Sequence, residues 1–283
     1  MTGMTWGSSR SLEGRSPLRT GPSRPIELRH EAAGPWSGRQ PSEAGGAMEP
    51  RLPGALTGTK PALIVPVFGA PGEISGLAER ASAAGADIIE WRADLSEDWD
   101  SCADILADSE LPTIATVRSD REGGRFPGTG HDYAAAAMKI AAMGFDVLDV
   151  EIKRSSAFQI FPVAHDHGIP VIASHHNFKE TPRDVEIIEI LEEMVEAEAD
   201  LLKVAFQPAH ADDTWRQMEL SRGLHGRFGV PIISISMGHD AAWSRLAAHA
   251  CGSAATFGTV GGESAPGQLD AALVRSVLDA LDR

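Results

Sequence analysis

Lysine is scarce in this 283-residue chain: five stand at Lys60, Lys139, Lys153, Lys179 and Lys203, against twenty arginines. Lys203 follows two leucines and precedes Val-Ala-Phe. A lysine there either snorkels out and pairs with a carboxylate at the rim, or serves as an amine nucleophile. Desolvation and neighbouring cations lower an ammonium's pKa, and Arg92, Arg118 and Arg245 are candidate neighbours. A second candidate is "SHHNF", with adjacent His175 and His176. Side chains alternate along a strand, so one of the two histidines is expected to enter a site and the other to face away. A histidine at a strand end is either packed in place or a general acid/base that titrates near neutrality. Adjacent histidines lack the spacing of zinc ligands, and Cys102 and Cys251 form no CxxC pair, so no metal is expected.

These residues fall within a regular alternation that begins at Ala62. The strand candidates are residues 62–67, 87–92, 113–118, 146–152, 170–176, 200–206, 231–237 and 254–259. Helical stretches separate them, among them "EISGLAERASAAG" and "TPRDVEIIEILEEMVEAEA". Gly85, Gly144, Gly168 and Gly229 stand where helices are expected to stop. Eight strands alternating with helices over about 220 residues fit a (β/α)8 TIM barrel of the α/β class. A doubly wound open sheet is the alternative, but "VPVFGAPGE" after the first strand is not GxGxxG.

The period of two sorts the strand residues. Leu148, Val150 and Ile152 oppose Asp149, Glu151 and Lys153; Ile89 and Trp91 oppose Ile88, Glu90 and Arg92; Leu202, Val204 and Phe206 oppose Leu201, Lys203 and Ala205. The charged set is expected to point into the barrel near the C-terminal strand ends, where barrel active sites lie. Strand 7 gives no such sorting, with Ile233, Ile235 and Met237 against Ile232, Ser234 and Ser236. Buried charges either form an ion-pair network or perform chemistry.

Composition bounds the partners. The net charge is −15, and the first 51 residues hold seven Arg against five Glu, so the acidic excess lies in the remainder. An acidic body argues against nucleic acid but admits a small anion bound by clustered arginines. No apolar run spans a bilayer, no signal sequence opens the chain, and two lone cysteines suit the cytoplasm. Residues 1–55 are rich in Gly, Ser, Pro and Arg without periodicity. They read as a disordered extension before a catalytic domain at 56–283, or as an overlong start with the true one near Met48.

Six stretches then resemble the type I 3-dehydroquinate dehydratase family. They are "IIEWRADL", "ATVRSDREGGRF", "IASHHNFKETP", "LLKVAFQP", "PIISISMGHDAAWSRLA" and "GSAATFGTVGGESAPGQL", in family order. The resemblance implies a lyase that dehydrates 3-dehydroquinate to 3-dehydroshikimate, in aromatic amino acid biosynthesis or quinate breakdown. It implies no cofactor and a homodimer. By position it implies that Lys203 forms a Schiff base, His176 is the general acid/base, and Glu122 orients that histidine. It gives substrate contacts to Glu90, Arg92, Arg118, Arg245, Ser264 and Gln268. "ESAPGQL" is expected to open the last helix, its dipole favouring the substrate anion. Asn177 stands where many members have Asp, and Gly238-His239 where many have Gly-Lys. Another Schiff-base aldolase, a silent dehydroquinate-binding relative and an interaction scaffold are the rival readings.

Overall fold

The computed structural model describes residues 51–282. Most of the extension expected at 1–55 lies outside the described residues. A short helix, α1 (Gly54–Thr57), opens the described chain, and its Leu56 is buried.

Eight parallel strands follow, each matching a candidate segment to within two residues at either end: β1 (Ala62–Val67), β2 (Ile88–Arg92), β3 (Thr113–Thr116), β4 (Val147–Glu151), β5 (Val171–Asn177), β6 (Leu201–Phe206), β7 (Ile232–Ser236) and β8 (Ala255–Thr259). The helices between them are α2 (Pro71–Ala83), α3 (Trp99–Ala107), α4 (Gly130–Ala141), α5 (Ala157–Asp166), α6 (Asp184–Glu196) and α7 (Ala211–Leu224). A 3-10 segment, His239–Ala247, replaces the α-helix after β7. A two-residue strand, β9 (Leu269–Asp270), and α8 (Ala271–Leu281) finish the chain. The strand order is β7-β6-β5-β4-β3-β2-β1-β8-β9. This is a TIM-barrel-like sheet in which each β-α unit adds a parallel neighbour. It curls round until β7 approaches β8, where Ala254 N–H donates to the Ile232 carbonyl at 2.7 Å and Ser234 N–H to Ser253 Oγ at 3.2 Å.

Alternation along the strands builds two cores. Ile89, Trp91, Leu148, Val150, Leu202, Val204 and Phe206 pack outward against the helices. Ile64, Ile88, Ile114, Val147, Ile172, Leu201 and Ile233 fill the barrel interior. Leu56 of α1 joins the interior set, so the first turn of described chain closes the N-terminal end of the barrel. Strand β7 reverses the usual chemistry. Ile233, Ile235 and Met237 point inward. Its outward serines instead meet polar side chains of α7: Ser236 Oγ lies 2.9 Å from Thr214 Oγ1, and Gln217 Nε2 donates to Ser234 Oγ at 3.1 Å. A polar helix face therefore explains why hydropathy alone did not sort this strand.

Gly85, Gly144 and Gly168 follow α2, α4 and α5 with positive φ, as helix stops require. Gly229 is displaced from its expected place, because α7 ends at Leu224 and the positive-φ Gly226 comes first. The last helix also starts later than expected. Asp270 caps α8 by accepting from Leu273 N–H at 3.0 Å, so "ESAPGQL" is a loop and its N–H groups are not those of a helix terminus.

Candidate active site

Sheet register brings the inward charges together. Glu151 on β4 lies beside Ser174 on β5, which lies beside Lys203 on β6. One row across, Arg92 on β2 is beside Thr116 on β3, which is beside Asp149 on β4. Glu90, Asp149, Glu151 and Lys203 are each at most 5% exposed, and Arg118 just beyond β3 is 3% exposed. Charges so buried are tolerable only when paired and hydrogen-bonded.

The pairing centres on Asp149. Lys203 Nζ donates to Asp149 Oδ2 at 3.0 Å and to Glu90 Oε1 at 3.2 Å. Arg118 Nη2 donates to Asp149 Oδ1 at 2.6 Å, and Ser174 Oγ donates to the same oxygen at 2.6 Å. Thr116 Oγ1 donates to Glu90. Burial raises the Asp149 carboxyl, but the attraction of Arg118 and Lys203 outweighs it and brings the group down to about 2. Burial opposes the charge on Arg118 as well, and the surrounding Asp149, Glu151 and Glu122 outweigh it, so the guanidinium is held above its ordinary value. Of the groups expected near Lys203, carboxylates rather than the candidate arginines make the direct contacts. Inward carboxylates from β2 and β4 occupy that place, and Arg118 reaches Lys203 only through the shared Asp149. The ring of Phe257 on β8 lies 4.7 Å from Nζ.

His176 comes from the last turn of β5. Its Nδ1 lies 3.0 Å from Glu122 Oε2, and its backbone N–H donates to the same oxygen at 2.9 Å. Glu122 is carried on a short 3-10 turn after β3. Burial raises this carboxyl, but hydrogen bonds from His175 and His176 leave it below its ordinary value. An ionised Glu122 accepts a hydrogen bond from Nδ1–H, so the neutral ring keeps its proton on Nδ1 and leaves Nε2 free as a base. Burial, and then Arg118, hold His176 well below the ordinary histidine value against the pull of Glu122.

The mouth is closed by the loop after β8. Arg245 is 2% exposed, and its Nε and Nη2 donate to the carbonyls of Gly267 and Pro266 at 2.8 and 3.0 Å. Its Nη1 has no hydrogen bond and the guanidinium no carboxylate partner among the described residues. Burial lowers it to about 10. Arg92 is bidentate to Asp94, at 3.0 Å for both bonds, and donates to the Ser264 carbonyl at 3.2 Å. Gln268 Oε1 accepts from Ser264 N–H at 2.8 Å.

One cavity, with about 390 Å³ of unfilled space including its opening, is lined by Glu90, Arg92, Arg118, His176, Lys203, Arg245, Ser264 and Gln268. Ala205, Ile235, Met237 and Phe257 form its apolar wall. Every residue to which the resemblance gives a catalytic or substrate-binding role lines it except Glu122, which stands behind His176. Larger hollows open at the other end of the barrel, beside Pro112, Asp146 and Pro170 and beside Pro61, Pro231 and Ala254, away from this cluster. Lys153, in register with the inward set by alternation, instead lies past the end of β4 and pairs with Glu193 at the surface. Asp149 was visible on the inward face of "DVLDVEI", but nothing in the sequence marked it as the hub. Asp94 and Ser174 were likewise unmarked. Of the two departures from the family pattern, Asn177 Oδ1 accepts from Lys179 N–H at 2.8 Å in a local turn that an aspartate would also make. His239 is exposed. Among the described residues, no three His, Cys, Asp or Glu side chains are disposed to hold a metal ion, and no helix is long and apolar enough to cross a membrane.

Residues 64–283 match the family model for type I 3-dehydroquinase. A 3-dehydroquinate dehydratase of Klebsiella pneumoniae is 36% identical over 233 residues, covering 77% of this chain and 92% of the relative. One of Listeria welshimeri is 32% identical, covering 79% and 93%. Among solved structures, the type I 3-dehydroquinate dehydratase of Clostridium difficile, crystallised with covalently modified comenic acid, superposes with a TM-score of 0.72 at 32% identity, covering 78% of this chain and 92% of that one. The 3-dehydroquinate dehydratase of Geobacillus kaustophilus gives 0.73 at 28% identity, covering 80% and 92%. With its family model matched from the first strand to the C-terminus, the chain belongs to the type I 3-dehydroquinase family.

Proposed function

We propose that this chain dehydrates 3-dehydroquinate to 3-dehydroshikimate through an imine on Lys203, with His176 as base and then acid. The observation that carries the reading is the meeting, in one cavity, of a buried amine, an imidazole oriented through Nδ1 and an arginine without a carboxylate partner among the described residues.

The physical problem is a proton next to a ketone, whose removal leaves an unstabilised carbanion. Lys203 first gives up its ammonium proton, for which Asp149 and Glu90 are the acceptors in contact. The free amine adds to the substrate carbonyl carbon, and loss of that oxygen as water leaves a cationic imine. The imine is an electron sink. Nε2 of His176 takes the adjacent C2 proton, and the C–H electron pair moves into an enamine. The enamine pair then expels the C1 hydroxyl, which leaves as water with the proton from His176. Hydrolysis of the conjugated imine returns the amine and the product ketone. One group serving as base and then acid needs a pKa that lets it do both. Glu122 supplies the counter-charge when the ring is protonated. The guanidinium of Arg245, held by two carbonyls and by no carboxylate among the described residues, suits the substrate carboxylate, because its planar fork can donate to a planar anion. Ser264, Gln268, Glu90 and Arg92 present groups for the substrate hydroxyls. A place in aromatic amino acid biosynthesis or in quinate breakdown follows from the same reading, as does a homodimer working in the cytoplasm.

The test is trapping. The chain is incubated with 3-dehydroquinate and borohydride in the presence of a chelator, and peptides are mapped by mass. The reduced adduct is expected on the peptide that carries Lys203, while Lys203→Ala yields none. His176→Ala is expected to retain trapping and to lose turnover by about 10²–10⁴. An unlabelled Lys203 in a chain that still converts the substrate ends the imine scheme.

A further inference from the structure

The carboxylate behind His176 serves two imidazoles. Glu122 Oε1 lies 3.0 Å from Nδ1 of His175, while Oε2 takes both Nδ1 and the backbone N–H of His176. Strand alternation sends these two rings to opposite faces of β5, and only His176 lines the cavity. Both reach Glu122 because β5 is leaving the barrel at this point, where its residues pass from buried to half-buried, and the turn bearing Glu122 lies over the strand end. His175 is held from the other side by Phe206 of β6, edge to face at a centroid distance of 6.2 Å. A carboxylate with only one partner rotates and exchanges its oxygens; one with a donor on each oxygen does not.

We infer that His175 is a positioning residue: by donating Nδ1–H to Oε1 of Glu122, it fixes Oε2 on His176 and limits how strongly that carboxylate holds the imidazolium. This rests on the reading of His176 as the acid/base. The other charged groups facing this pair are Arg118, 3.7 Å from Glu122 Oε2, Glu151 of β4 and Lys203 of β6. Their places are fixed by the Asp149 hub and by Ser119, whose N–H and Oγ both donate to Glu151. None of them contacts Oε1. His175 thus supplies the one donor to that oxygen among the described residues.

The sign of its effect follows. A donor on Oε1 draws charge away from Oε2, so the carboxylate attracts a proton on His176 less strongly. Without that donor, His176 keeps its proton to higher pH and releases it less readily to the leaving hydroxyl. His175→Phe retains the packing on Phe206 and deletes the donor. His175→Asn places an amide N–H near the position of Nδ1 and restores it. The expected result for His175→Phe is a kcat lower by about tenfold, the order of one hydrogen bond to a charged group, with KM little changed. The acid limb of its pH–rate profile should move to higher pH. His175→Asn is expected to recover both rate and limb. Equal behaviour of the two variants overturns the inference, whether both resemble the parent or both are equally impaired.

A second measurement needs no variant and no substrate. Nitrogen-15 imidazole spectra of the parent chain are expected to show both His175 and His176 protonated at Nδ1 in the neutral form. A neutral His175 carrying its proton on Nε2 overturns the inference even if trapping at Lys203 succeeds. A parent chain that gives no imine and no turnover, yet has both rings protonated at Nδ1, sinks the functional reading and leaves the shared carboxylate standing.

Discussion

At the scale of single residues, the site is a set of charges that neutralise one another with one exception. Lys203, Arg118 and Arg92 each touch a carboxylate. Arg245 touches two carbonyls instead. That difference is what makes Arg245, in the proposed function, the residue for an incoming anion. An Arg245→Lys change keeps the charge but cannot satisfy both carbonyls and present a fork to a carboxylate. KM for 3-dehydroquinate is expected to rise by about tenfold to a hundredfold, with a smaller change in kcat, as initial rates at saturating and limiting substrate will show. An unchanged KM would remove Arg245 from carboxylate binding. Asp149 carries a different consequence. Its folded pKa of about 2 is below its ordinary 3.8, so its stabilising contribution is complete above about pH 4 and is lost as pH falls towards 2. Unfolding by urea is expected to become markedly easier across that window in the parent chain. In Asp149→Asn, less stable at neutral pH, the same acid step should be smaller by roughly 2 kcal/mol.

At the scale of elements, most of what the sequence carried was periodicity. The inward placement of Glu90, Asp149, Glu151 and Lys203 followed from alternation alone, since each lies within a strand whose other face is bulky and apolar. Strand β7 was not legible this way, because its outward serines bond to Thr214 and Gln217 of α7, contacts between segments that no local window contains. The hub role of Asp149 was hidden for the same reason: it depends on register across β4, β5 and β6. Alternation correctly let only one of the two adjacent histidines, His176, into the cavity, but the contact of His175 with Glu122 lies between segments that no local window contains. The loop after β8 was taken for a helix start because Pro266 suits an early helical position. Instead Gly267 adopts φ +77°, and a Cβ there would come within 2.2 Å of the Gly238 carbonyl oxygen. The close approach locks that loop against the turn after β7. Gly267→Ala is therefore expected to displace the two carbonyls that hold Arg245, together with Ser264 and Gln268. Catalytic efficiency should fall by about tenfold or more, and stability by at least the ~1–2 kcal/mol of a left-handed alanine, with the backbone clash added to it. Kinetics and a urea titration on the same sample will separate the two effects.

At the scale of the molecule, the charged cluster and the apolar closure lie at opposite ends of one barrel. The cluster occupies the C-terminal strand ends, as barrels of this kind require, while Leu56 fills the other end with the apolar interior set. Leu56→Ala is expected to destabilise the chain by about 2–5 kcal/mol through the cavity it leaves. Its urea midpoint should drop while kcat stays near that of the parent; a large loss of kcat at full folding would mean that the two ends are coupled. The family's imprint was legible because its six motifs lie on strands and the segments that follow them, where the inward charged residues and the cavity lining are found. The acidic surface gave only exclusions.

The join between β7 and β8 has a bearing on how a substrate enters. Neighbouring strands elsewhere in the sheet are stitched by ladders, whereas this boundary rests on one main-chain bond and one serine hydroxyl. The segments bearing Arg245, and Ser264 with Gln268, emerge on either side of it. The wall thus has its fewest main-chain bonds beside Arg245 and is laddered on both sides of Lys203, so a ring that enters past Arg245 parts the least-bonded seam of the sheet.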